Sequence, residues 1–114
     1  MAKYKFQKYV KFRQSYDGVK VAKAYVYLSN LFQKYLGKAD HVVIQYDVDN
    51  QAICVLPAKE GVDGAYKMSG SNNPYSGKSV GVKLTEKGMR KGTYLFQEEI
   101  ETADGKGFVC VLTK

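Results

Sequence analysis

The chain has 114 residues, 45% of them apolar and 25% charged, the size and composition of one globular domain. Eighteen Lys and Arg against eleven Asp and Glu give a formal charge of +7, and charges interrupt every apolar run, which excludes a membrane-spanning helix. The basic start Met1-Ala2-Lys3-Tyr4-Lys5 is not followed by the apolar core of a signal peptide, so the expected location is the cytoplasm, or the host cytoplasm for a phage-encoded chain.

The opening run Tyr4–Arg13 alternates with period two. Tyr4, Phe6, Val10 and Phe12 fall on one side; Lys5, Tyr9, Lys11 and Arg13 fall on the other. Asp17-Gly18 signals a tight turn, and a return strand is expected over Val19–Leu28. Its apolar set is Ala22, Ala24, Val26 and Leu28, with Lys23, Tyr25 and Tyr27 opposite. A long N-terminal hairpin follows from this pattern. Ser29 is a suitable N-cap and Gly37 a suitable left-handed stop, so Ser29–Gly37 reads as a short helix carrying Leu31, Phe32, Tyr35 and Leu36. Strands are expected at His41–Asp47, Ala52–Pro57 and Gly64–Met68. Residues 69–78 have loop composition. A strand at Ser79–Leu84, a helical turn opened by Thr85, and a hairpin of Thr93–Glu101 with Gly107–Leu112 complete the chain.

The second half echoes the first at a spacing of 56 residues: Val26-Tyr27-Leu28-Ser29 with Val82-Lys83-Leu84-Thr85, and Ile53-Cys54-Val55-Leu56 with Val109-Cys110-Val111-Leu112. Related halves at 24–59 and 80–114 would pair into a small barrel, which removes open sheet edges. The expected fold is therefore mostly β with two short helices, a small antiparallel or mixed barrel of oligonucleotide-binding or cradle-loop type.

Cys54 and Cys110 lie in apolar runs and read as buried free thiols. His41 is the only histidine, so no base–nucleophile pair suggests itself and the chain is not expected to be an enzyme. Glu98, Glu99 and Glu101 share a strand, but no ligand pattern surrounds them; no metal and no cofactor are expected.

Charge is unevenly spread. Residues 1–38 carry nine cations and Asp17, residues 39–66 five acids and Lys59, and residues 67–94 six cations and Glu86. A cationic face is the consequence. On it, aromatics alternate with cations: Lys5, Tyr9, Lys11 and Arg13 on the first strand, Lys23, Tyr25 and Tyr27 on its partner. Single-stranded nucleic acid needs rings for its bases and cations for its phosphates. The expected contacts are Tyr9, Tyr25 and Tyr27 for stacking, Lys5, Lys11, Arg13 and Lys23 for phosphates, with Tyr75 and Lys78 added by the loop.

The unit Val26–Ser29, Tyr35-Leu36-Gly37-Lys38-Ala39-Asp40, Val42–Ile44 and Ile53–Pro57 resembles one half of an AbrB/MazE-type DNA-binding protein. Such a likeness implies a dimeric regulator of duplex DNA. The first strand lacks that family's proline-and-arginine start, so no base-reading residue carries over. In length, basic Tyr/Lys-rich N-terminus and barrel pattern, the chain is similar to small single-stranded-DNA-binding proteins of bacteriophages. That likeness implies sequence-tolerant binding of single-stranded DNA (RNA being the alternative) in replication or recombination, with replication or recombination proteins and a second copy of the chain as partners. A module that inhibits a host protein is the third reading.

Overall fold

The alternation that defines a half-buried strand is clearest in Ala52–Ala58, where Ile53 and Val55 are buried in the core and their neighbours face the other way. The computed structural model describes residues 3–6, 16–70 and 77–113. Among these described residues there are eight strands: β1 Gly18–Val21, β2 Val26–Leu28, β3 His41–Asp47, β4 Ala52–Ala58, β5 Ala65–Lys67, β6 Lys78–Val80, β7 Gly92–Thr102 and β8 Gly105–Leu112. They form one antiparallel sheet in the order β5-β3-β4-β8-β7-β1-β2-β6. Its ends meet at a single bridge, in which Ser69 N–H donates to Ser79 O at 2.7 Å and Ser79 N–H to Ser69 O at 2.8 Å. The sheet is thus nearly closed into a barrel, as the strand pattern predicts.

Three hairpins make up most of it. β3–β4 turns at Val48–Gln51, and β7–β8 turns through Ala103 and Asp104 alone. Thr102 secures the second turn, its hydroxyl donating to Gly105 O at 2.8 Å and accepting the Asp104 N–H at 3.1 Å. A bulge between Phe96 and Glu98 bends β7. The core runs through the interior, with Val19, Val26, Leu28, Ile53, Val55 and Tyr94 among its fully buried members. Burying one such side chain stabilises the fold by roughly 1.5–3 kcal/mol.

The third hairpin corrects the sequence reading. The run expected to be one return strand, Val19–Leu28, folds back on itself as β1 and β2, with a turn at Ala22–Tyr25 closed by Ala22 N–H donating to Tyr25 O at 2.9 Å. The extra turn shifts the parity of the pattern. Val19 and Val21 join Val26 and Leu28 in the core, while Ala24 is exposed. Both sides of both strands are then occupied, β1 by β2 and β7, β2 by β1 and β6. The expected partner of the return strand was the segment from Tyr4 to Arg13. Its described part, Tyr4–Phe6, is not strand, and the rest lies outside the described residues. Gly18, read as half of an Asp-Gly turn, instead answers to crowding: a Cβ there would stand 2.0 Å from Tyr94 O across the β1–β7 pair.

Both expected helices are single 3-10 turns, Phe32–Tyr35 and Leu84–Lys87. The N-cap of the first is Leu31 rather than the expected Ser29; the Ser29 hydroxyl, two residues earlier, accepts the Phe32 N–H at 3.2 Å and the Gly18 N–H at 3.2 Å. Phe32 is buried, and Tyr35 stacks on Phe96 at 4.4 Å and on Phe108 at 5.1 Å between centroids. The Tyr35 hydroxyl donates to Asp17 Oδ2 at 2.5 Å. Leu84 and Met89 are buried in the same core from the second turn.

The order strand, 3-10 turn, hairpin occurs twice, as β2–β3–β4 and as β6–β7–β8. The 56-residue spacing, however, matches Cys54 with Cys110. These sit on opposite faces, because Cys110 pairs with core-facing Ile53 while Cys54 pairs with Val109. Both thiols are free, Cys110 fully buried and Cys54 half-buried.

Candidate nucleic-acid interface

The strand register decides which of the expected contacts stand together. Across four strands, Thr93, Lys20, Tyr27 and Ser79 are register partners in one row, on the face away from the core. Lys20 is exposed and Tyr27 half-buried. The β1–β2 turn, at the ends of the two middle strands of this row, carries Lys23 and Tyr25, both exposed, Tyr25 by 47%.

A second segment is held against that turn. Val21 pairs with Gly92, and the Thr85 hydroxyl donates to Lys23 O at 3.3 Å. The run Gly81–Gly92 therefore presents exposed Lys83, Lys87, Arg90 and Lys91 next to Lys23 and Lys20, with Glu86 its single acid. On its far side lies the β3–β4 turn. Gln51 donates through Nε2 to Gly88 O at 3.2 Å and accepts the Arg90 N–H at 2.8 Å. Asp47 and Asp49 border the cationic area there, and hydrogen bonds from Asn50 hold the Asp47 carboxyl below its ordinary range. Opposite in charge is the β7–β8 hairpin, where Glu99 pairs with Lys106 at 3.6 Å. Charge is segregated in space as well as in sequence.

Of the sequence-derived contacts, Lys23, Tyr25 and Tyr27 are brought together on one hairpin. Tyr27 is engaged: its hydroxyl accepts the Gly77 N–H at 3.0 Å. A Cβ on Gly77 would fall 2.6 Å from its ring, so the backbone at Gly77 lies against the tyrosine. Lys78 partners Leu28, placing it on the other face from Tyr27, where its side chain lies against Gly70. Lys5 is exposed, outside any strand. Tyr9, Lys11, Arg13 and Tyr75 lie outside the described residues. Lys20 and the group Lys83, Lys87, Arg90 and Lys91 were not singled out. Lys20 was missed because the turn was placed at Asp17-Gly18; the lysine-rich run from 83 to 91 could have been found as a charge cluster.

Burial pushes the Tyr16 hydroxyl up to about 12, with the neighbouring Tyr27 adding to the rise, so Tyr16 is neutral at ordinary pH. His41 opens β3 opposite Ala58 and Lys67. Among the described residues, no group of three or more His, Cys, Asp or Glu is placed to hold a metal ion, and no helix is long and apolar enough to cross a membrane. What the area offers is one exposed aromatic ring, a second ring tied by its hydroxyl, exposed Lys20 and Lys23 on the same hairpin, and exposed Lys83, Lys87, Arg90 and Lys91 on the run held against its turn. Compared with known protein families, with curated proteins and with solved structures, the chain matches none.

Proposed function

We propose that this chain binds single-stranded DNA with little regard to sequence, as a non-enzymatic component of replication or recombination in the cytoplasm. The observation that carries the reading is the exposed Tyr25, set on a tight turn beside Lys23 and backed by Lys20, Lys83, Lys87, Arg90 and Lys91. Bases of any identity stack on a tyrosine face, and the surrounding ammonium and guanidinium groups take the phosphates and release counterions. The short turn favours stacking, because a ring fixed on a hairpin loses little conformational freedom when a base covers it. Tyr27 supports the surface by fixing the backbone at Gly77, so Tyr25 is the ring expected to do the stacking.

The test is fluorescence anisotropy with labelled oligo-dT, a random single strand and the matching duplex, at low and high salt. Binding to both single strands, weaker on duplex and falling with salt, is expected. Tyr25→Ala should cost about 1–3 kcal/mol at unchanged charge and unchanged thermal stability. Full affinity in that variant would defeat the stacking reading. A duplex preference would favour a regulator of AbrB/MazE type instead, and an absence of binding at low salt would turn attention to a protein partner.

A further inference from the structure

Gln51 ends the β3–β4 turn with a φ of 47°, and among the described residues it is the one non-glycine in the left-handed region. Such backbone is strained for any residue with a Cβ and persists only where the surroundings fix it. A glycine would take that φ freely, so the interest of the position lies in its side chain. Nε2 donates to Val48 O at 2.8 Å within the turn and to Gly88 O at 3.2 Å across to the cationic run, while Oε1 accepts the Arg90 N–H at 2.8 Å. Both amide hydrogens and the carbonyl are thus in use. The turn also packs on the run, since a Cβ on Gly88 would stand 3.2 Å from Val48 Cγ1.

Arg90 is where these contacts converge. It belongs to no strand and no helical turn, and it is exposed. Its N–H goes to Gln51 Oε1, and its carbonyl accepts the Tyr94 hydroxyl at 2.6 Å. That hydroxyl, on fully buried Tyr94, also lies 3.1 Å from Gln51 Oε1. Side chains from two other elements therefore hold both backbone polar groups of one loop residue. A residue fixed in this way loses less freedom when its side chain takes a ligand. The guanidinium it carries suits a phosphate, with donors in a planar fork, whereas its neighbours Lys83, Lys87 and Lys91 are point charges on flexible stems. We propose that Gln51 is a positioning residue of the nucleic-acid interface: it holds the backbone of Arg90 so that the Arg90 guanidinium anchors one phosphate of the bound strand. This assignment rests on the single-strand reading of the surface. It makes Arg90 the ordered phosphate contact and the lysines around it the diffuse ones.

Anisotropy with labelled oligo-dT over a range of salt, on the full chain and its variants, tests it. Arg90→Gln should weaken binding about tenfold and lower the slope of log affinity against log salt by about 0.7, the loss of one phosphate contact. Gln51→Met, which keeps the length of the side chain and removes its hydrogen bonds, should reproduce most of both changes. In a chain that already carries Arg90→Gln it should cost no more than about twofold, whereas its effect should add in full to that of Lys23→Gln. Gln51→Gly takes away the same amide but suits the φ of 47°, so it should melt above Gln51→Met and yet bind as weakly. A merely structural role would make affinity follow stability instead. No binding of the parent chain to oligo-dT at low salt would overturn the single-strand reading and this assignment with it. Binding by the parent that survives Gln51→Met, or that falls as far in the Arg90→Gln background as in the parent, would overturn the assignment alone.

Discussion

Cys110 shows how one buried side chain ties this fold to pH. Fully buried on β8, its thiol is pushed up to about 12, first by burial and then by the negative charges of Asp17 and Cys54. The folded state holds the neutral thiol, whereas an unfolded chain ionises it above about 8.5. Stability from this group is therefore complete below that pH and is lost as pH climbs toward 12; Tyr16, also pushed up to about 12, follows from about 10 upward. The urea midpoint should stay level through neutral pH and fall above about 8.5. Cys110→Ala should lower the midpoint overall but flatten the first part of that fall, and an unchanged slope in the variant would assign the decline to other groups. The native thiol should also resist alkylation, because the thiolate is the reactive form.

At the scale of elements, two glycines separate crowding from backbone strain. Gly18→Ala forces a methyl against Tyr94 O in the β1–β7 pair, and overpacking of this kind costs about 3 kcal/mol. Gly37 has open space around it but a φ of 61°, so Gly37→Ala should cost only about 1 kcal/mol. Urea denaturation of the two variants measures the difference, and the reverse order would show that the strands can part at Gly18. The same elements show what could be read from composition. His41–Asp47, Ala52–Ala58 and the closing hairpin were legible because alternation, length and turn residues agree there. The first hairpin was not, because a four-residue turn of Ala22-Lys23-Ala24-Tyr25 carries no glycine, proline or asparagine to announce it. Lys23 and Tyr25 were legible as a basic aromatic pair, but their neighbours Lys83 to Lys91 arrive by β1–β7 pairing, which no local pattern encodes.

For the molecule as a whole, closure rests on very little. Among the described residues, two backbone hydrogen bonds between Ser69 and Ser79, with the Ser79 hydroxyl donating to Ser69 O at 3.5 Å, join the ends of the sheet, and both flanking strands, β5 and β6, have three residues. Ser69→Pro removes one donor and should open that seam while the other pairings persist. Hydrogen exchange would show it: faster exchange at Ser79 and in β5, with protection in β4, β7 and β8 kept. Loss of protection throughout would mean that the seam holds the barrel together.

The position of β7–β8 in the strand order has a further consequence, for the making of the chain. That hairpin lies between β4 on one side and β1 on the other, so it joins two earlier hairpins that otherwise do not touch as sheet. Gly18 waits for Leu95, 77 positions later, and Ala52 for Val111. A chain emerging from the ribosome therefore exposes two unfilled strand edges until the β7–β8 hairpin appears, which fills both. Anything that stalls synthesis before β8 leaves a product able to pair with the wrong neighbour, so the closing hairpin decides whether the strands before it fold.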